Sequence, residues 1–168
     1  MLSFLLFATV VTKSQNLYYD FIPPYPVSSI SMAYSPSTQT FYFHSGLSSD
    51  GTYHLGIQRF YKDSAQGLWR FTEQQGNNFP DSRSFYGSFF SQNQFYYIFG
   101  GVGEMGMYND MWKYDTKYNV WTAISENQPI SPRYSFAYTS FSSNDYQYFV
   151  VLGGKGNTRQ ASLLDFTY

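Results

Sequence analysis

Two histidines, His44 and His54, 11 carboxylates and a crowd of tyrosines are what this 168-residue chain offers for chemistry. It has 0 cysteines, which removes thiolate metal sites, cysteine nucleophiles and disulfides together. A metal centre wants three or four converging donors. With no thiolate and no third imidazole, His44 reads as a strand-end residue and His54 as a loop residue. No Gly-x-Ser-x-Gly elbow is present to lift a serine nucleophile. The acids, among them Asp50, Asp63, Glu73, Asp81, Glu104, Asp110 and Asp115, are scattered through turns and loops. A hydrolytic pair would have to converge in space. Gly100, Gly101, Gly103 and Gly106 could be mistaken for a phosphate loop. Such a loop opens a helix whose N-terminus meets the phosphate, whereas the residues from Tyr108 to Tyr114 read as a strand. The sequence therefore assigns no catalytic, cofactor-binding or metal-binding residue, and no cofactor.

The elements that must position these groups are strands. Aromatic residues make up 23% of the chain and charged residues 12%. Tyr and Phe suit a pleated, half-buried surface, and so little charge does not support disorder. No segment carries a 3.6-residue apolar period, and Ser, Gly and aromatic content opposes helix. The fold class expected is all-β. A net charge of −1 with no run of Lys or Arg excludes the electrostatic footprint of a nucleic-acid binder.

The strands recur in order. From Arg83 the chain runs through RSFYGSFF, then QFYYIFGG ending at Gly100 and Gly101, then NDMWKYD containing Tyr114, then VWTAI containing Trp121. A later set begins at Arg133 and reaches YQYFVVLGG ending at Gly153 and Gly154, then SLLDF. An earlier, more diverged set has Ser45 and Gly46 in place of the glycine pair, Phe60 in place of the tyrosine, and Trp69. Gly46 and Gly101 are 55 residues apart, Gly101 and Gly154 are 53 apart, and Trp69 and Trp121 are 52 apart. Four short strands in about 50 residues is the arithmetic of one propeller blade.

An apolar run ending in Gly-Gly, a spaced Asn-Asp-x-Trp-x-Tyr-Asp and a later Trp together resemble the kelch repeat. Gly100, Gly101, Tyr114, Trp121, Gly153 and Gly154 carry the resemblance, with Gly46 and Trp69 as their weaker counterparts. Arg83 and Arg133 stand where such repeats often place an Arg. The fold implied is a partial β-propeller of four-stranded blades. Repeat one spans residues 28–79, repeat two 80–130, and an incomplete repeat three 131–168. In this reading the glycines and large rings are blade-packing residues, because recurrence is what an architectural role predicts. The family includes a copper oxidase of the galactose oxidase type, whose cross-linked Tyr–Cys cofactor cannot form without cysteine. What the resemblance implies is a non-enzymatic binding or scaffold module with a protein partner. The loops at residues 47–53, 102–108 and 155–160 are the candidate contacts, since they vary while the strands repeat. The alternatives are a secreted carbohydrate-binding module, with exposed rings stacked on sugars, or a propeller-type hydrolase.

Two whole units and part of a third leave strand edges and aromatic faces open. A longer parent chain, self-association or docking on a partner would each answer that. At the N-terminus, LSFLLFATVV from Leu2 to Val11 is too short to span a bilayer as a helix. Its length suits the core of a secretory signal peptide over residues 1–14, followed by a leader over 15–27. No Lys or Arg precedes the run, and a first buried strand is the other reading, since Phe, Val and Leu would suit one.

Overall fold

The computed structural model describes residues 27–74, 78–91, 94–125, 130–143, 146–156 and 161–166. The signal-peptide reading of residues 1–14, and all but the last residue of the 15–27 leader, lie outside them. Among the described residues there is no helix, and so none long and apolar enough to cross a membrane.

Three antiparallel sheets follow one another along the chain. The first contains Met32–Ser35, Thr40–His44, Ile57–Lys62 and Trp69–Gln74. The second contains Gly87–Ser91, Phe95–Phe99, Met111–Asp115 and Val120–Ser125. The third contains Ala137–Ser143, Tyr146–Leu152 and Ala161–Phe166. In each, strands pair in chain order as a simple meander, which needs only local turns.

The turns are chemically specified. Asp63 Oδ1 accepts the amides of Ala65 at 2.8 Å and Gln66 at 3.3 Å. Asp115 Oδ1 accepts those of Lys117 at 2.8 Å and Tyr118 at 3.2 Å. Four residues after each Asp, Gly67 and Asn119 take left-handed φ of 67° and 57° and return an amide to the Asp carbonyl. Asp, Gly and Asn are the residues that favour such turns.

Alternation along each strand sends side chains to opposite faces. On the second sheet Tyr96, Ile98, Tyr114 and Trp121 point toward the first sheet, where they meet Ala33, Tyr42 and Ile57. Its other face sends Phe89, Tyr97, Phe99 and Met111 against Phe136, Phe149 and Val151 of the third-sheet region. The near-continuous apolar run of Phe95–Phe99 thus reflects a strand covered on both sides. Rings fill both seams: Phe89 stacks on Phe149 with centroids 4.8 Å apart, and Trp121 lies 5.1 Å from Tyr114.

One expected equivalence differs. Counted from the turn, Trp69 and Trp121 occupy the same position, two residues past Gly67 and Asn119. Across the sheet they do not. Trp121 pairs with Tyr114, whereas Trp69 pairs with Lys62, and Phe71 is the residue opposite Phe60. The ladder of the first hairpin runs two residue pairs further toward its turn beyond that position, so equal spacing along the chain became a two-residue shift along the ladder. Trp69 consequently stacks on Phe60 at 4.7 Å and stays half-buried, while Trp121 is enclosed.

Candidate functional site at the loop end of the sheets

After the second strand of each sheet the chain makes the same two-step bend. Ser45, Gly100 and Gly153 have φ of 57°, 62° and 71°, and Gly46, Gly101 and Gly154 follow at 126°, 99° and 86°. The chain just past the bend then pairs back on the residues that precede the sheet: Leu47 with Ser28, Val102 with Ser84, and Lys155 with Tyr134. A side chain at Gly101 would meet Ser84 O at 2.8 Å and Tyr86 Cβ at 2.9 Å; at Gly154 it would meet Tyr134 O and Phe136 Cβ, both at 2.8 Å. Positive φ and close backbone approach both demand glycine here. Ser45 is the non-glycine member of the set. Its hydroxyl accepts the Arg83 amide at 2.9 Å and donates to the His54 carbonyl.

Arg83 clamps the loop that follows Gly101. Its guanidinium is wholly buried and bonds both oxygens of Asp110, at 2.5 and 2.9 Å. It also donates to Gly100 O at 3.1 Å and Asp81 O at 3.0 Å, and lies 4.2 Å from the centroid of the Tyr108 ring. Asp110 further accepts the Trp112 indole N–H at 2.7 Å, and Asn109 donates to Ile130 O at 3.2 Å. The Asn-Asp-x-Trp segment is thus an anchoring device. Arg133 repeats part of the pattern, donating to Ser131 O at 3.1 Å and Gly153 O at 2.8 Å.

Between the two anchored ends, Val102–Gly103 pairs with Gly106–Met107 as a tight hairpin. No helix opens there, so the glycines serve a turn rather than a phosphate cradle. The hairpin lifts Glu104 and Met105 to its tip, and Met105 is 84% exposed. With Leu55, Phe79, Pro80, Asp81, Ser82 and Tyr108 they line a cleft of about 380 Å³. Leu55, Phe79, Pro80 and Met105 give it apolar surface, and its two carboxylates, Asp81 and Glu104, make it anionic. Partial burial and the Asp81 carboxylate both push the Tyr108 hydroxyl pKa up.

Of the loops singled out in the sequence, residues 102–108 supply Glu104, Met105 and Tyr108 to this cleft. The 47–53 loop contributes none of its lining; Leu55, just beyond, does. Residues 155–156 pair with Arg133 and Tyr134, and 157–160 lie outside the described residues. Within residues 79–82 only Asp81 stood out in the sequence, as one of the scattered acids.

A second constellation lies where the first strands of the three sheets converge. The Ser31 hydroxyl bonds those of Ser88 at 2.6 Å and Tyr138 at 2.5 Å, one from each sheet region. Tyr86 reaches across to His44, accepting its amide at 2.8 Å and donating to its carbonyl at 2.6 Å. Burial pushes the Tyr86 pKa up to about 12.

His44 is enclosed beside this network, its ring 5.2 Å from Trp121 and 6.4 Å from Tyr86. Burial and then the Arg83 charge lower its pKa to about 3. It stands where the second sheet has Phe99, and its Nδ1 meets no partner. Below pH about 6.5 the unfolded chain protonates this imidazole while the folded chain does not. Stability should therefore be full above that pH and fall, at up to about 1.4 kcal/mol per pH unit, down to pH about 3. His44→Phe is expected to flatten that limb, read as melting temperature against pH; an unchanged limb would assign the acid sensitivity elsewhere. His54 faces the first loop, its Nε2 2.6 Å from Ser48 Oγ. Among the described residues no three His, Asp or Glu gather as a metal site.

The remaining signature residues are placed as follows. Tyr114 and Trp121 sit in the seam between the first two sheets, and Gly46, Gly100, Gly101, Gly153 and Gly154 form the three bends. No family model matches the chain, and no curated protein matches it in sequence.

Proposed function

We propose that this chain is a non-enzymatic binding module of the kelch-type β-propeller class. Its sheets are successive blades, and its ligand is a protein segment taken at the loop end. Support for the blade reading comes from the recurrence of one bend, one back-pairing and one arginine placement along the chain. Support for binding comes from the contrast between framework and loop tip. The backbone beneath is fixed by Arg83, Asp110 and paired glycines, and it raises a bare methionine over an anionic cleft.

The exposed Met105 at the tip of that clamped hairpin carries the proposal. Methionine adapts its shape to an apolar partner, and Asp81 with Glu104 selects for cationic neighbours. The segment expected is one with Lys or Arg beside Leu or Phe. A peptide array of that composition, run beside a glycan array, tests it. Basic–apolar peptides should bind, weaken with added salt, and lose about tenfold or more in affinity in Met105→Asp with no change in melting temperature. Retention of glycans and not peptides would replace this reading with the carbohydrate-binding one.

A further inference from the structure

The first strands of the three sheets leave a groove between them, apart from the loop end. Each strand follows a residue with the same left-handed backbone: Ser29, Phe85 and Ser135, at φ of 59°, 55° and 54°. Phe85 N donates to Ser29 O at 2.7 Å, and Ser135 N donates to Phe85 O at 3.0 Å. These two bonds hold the strands in step. Counted on from those three residues, Met32, Ser88 and Tyr138 are equivalent, and so are Tyr34, Phe90 and Ser140. Both sets, with Thr139, line one groove of about 450 Å³, a volume ordinary for a small-molecule site.

The base of the groove is a chain of hydroxyls. Ser31 and Ser88 are buried, and the Ser31 hydroxyl lies 2.6 Å from that of Ser88 and 2.5 Å from that of Tyr138. Gly87 makes room for the Tyr138 ring to cross: a Cβ there would stand 3.2 Å from Tyr138 Cγ. Thr139 and Ser140 add hydroxyls to the lining. Tyr34 and Tyr138 present rings that are 43% and 38% exposed, and Tyr34 is braced by Phe41 with centroids 4.7 Å apart.

Among the described residues the lining holds no Lys, Arg, His, Asp or Glu. It therefore offers no counter-charge to a phosphate, sulphate or carboxylate, and none to a basic peptide. A hydroxyl both donates and accepts, so a row of them matches a ligand that itself carries hydroxyls. An apolar ligand would strip water from Thr139 and Ser140 without replacing its hydrogen bonds. The electron-rich faces of aromatic rings attract the C–H groups of a sugar ring.

We infer that this groove binds a neutral sugar, one hexose unit of an uncharged glycan. Its ring lies against Tyr34 and Tyr138, and its hydroxyls meet Ser88, Thr139 and Ser140. No residue lines both this groove and the cleft beside Met105, and the inference does not rest on what that cleft takes.

Titration calorimetry on the full chain tests it. The probes are neutral oligosaccharides of the glucose, galactose, mannose and N-acetylhexosamine series, with sialylated and sulphated counterparts. At least one neutral series should bind, with an affinity that added salt does not change. Failure of every neutral probe, or tighter binding of the charged ones, would overturn the proposal. Tyr34→Ala should weaken sugar binding about tenfold or more while keeping the melting temperature. Tyr34→Phe keeps the ring and should bind as the parent does. Parent-like binding by Tyr34→Ala would put the sugar elsewhere and overturn the assignment. Sugars bound without peptides would defeat the loop-end reading alone; peptides bound without sugars would defeat this one alone.

Discussion

Replacing Arg83 with alanine is expected to cost about 3–5 kcal/mol of stability, seen as a large drop in the urea midpoint at an unchanged slope. The magnitude follows from what is left behind. The Asp110 carboxylate loses a bidentate partner and keeps the Trp112 indole N–H. The carbonyls of Gly100 and Asp81 lose a buried donor. A charge-assisted fork of this kind cannot be replaced by a point charge, so Arg83→Lys should recover only a minor part. The same substitution should loosen the hairpin that carries Met105, and so weaken peptide binding even where the chain remains folded. A loss under about 1 kcal/mol would show that water substitutes for the guanidinium and that the clamp is not structural.

Trp121→Ala should be as damaging, at about 3–5 kcal/mol. Its ring bridges the first seam, touching Tyr114 and Tyr96 of its own sheet and His44 of the neighbour. Deletion removes the largest fully enclosed side chain among the described residues. The indole N–H meets no acceptor, so no hydrogen bond contributes and the loss is one of volume. Trp121→Phe, which installs the residue found at the matching Phe71, should therefore cost far less, about 1–2 kcal/mol. Opening the seam also admits water to His44, so the alanine variant should titrate that imidazole closer to its ordinary pKa. Equal losses for Phe and Ala would point to a role for the indole nitrogen instead.

What could be read from the amino-acid order was whatever depends on composition and recurrence. Runs such as Phe95–Phe99 announce buried strands because nearly every residue is apolar. The pairs at Gly100 and Gly153 announce a bend because glycine takes positive φ at both steps without strain. The two-residue extension of the first hairpin was invisible, because spacing along the chain is the same whether a strand or a loop absorbs the difference. His44 reads as an ordinary polar strand end until Trp121, contributed from 77 residues away, closes over it. Ser29, Phe85 and Ser135 share a left-handed backbone that none of their side chains advertises. The cleft drew on residues 79–82 for a similar reason: a connector becomes a wall only once the sheets on either side are set at their angle.

The order in which the sheets are covered has a consequence for how the structure comes apart. Among the described residues the second sheet alone is sandwiched, while each outer sheet has one neighbour. Among the described contacts either outer sheet meets the rest through a single seam, whereas losing the middle one breaks two. Opening begins at the two extremities and moves inward, as in a short stack of tiles.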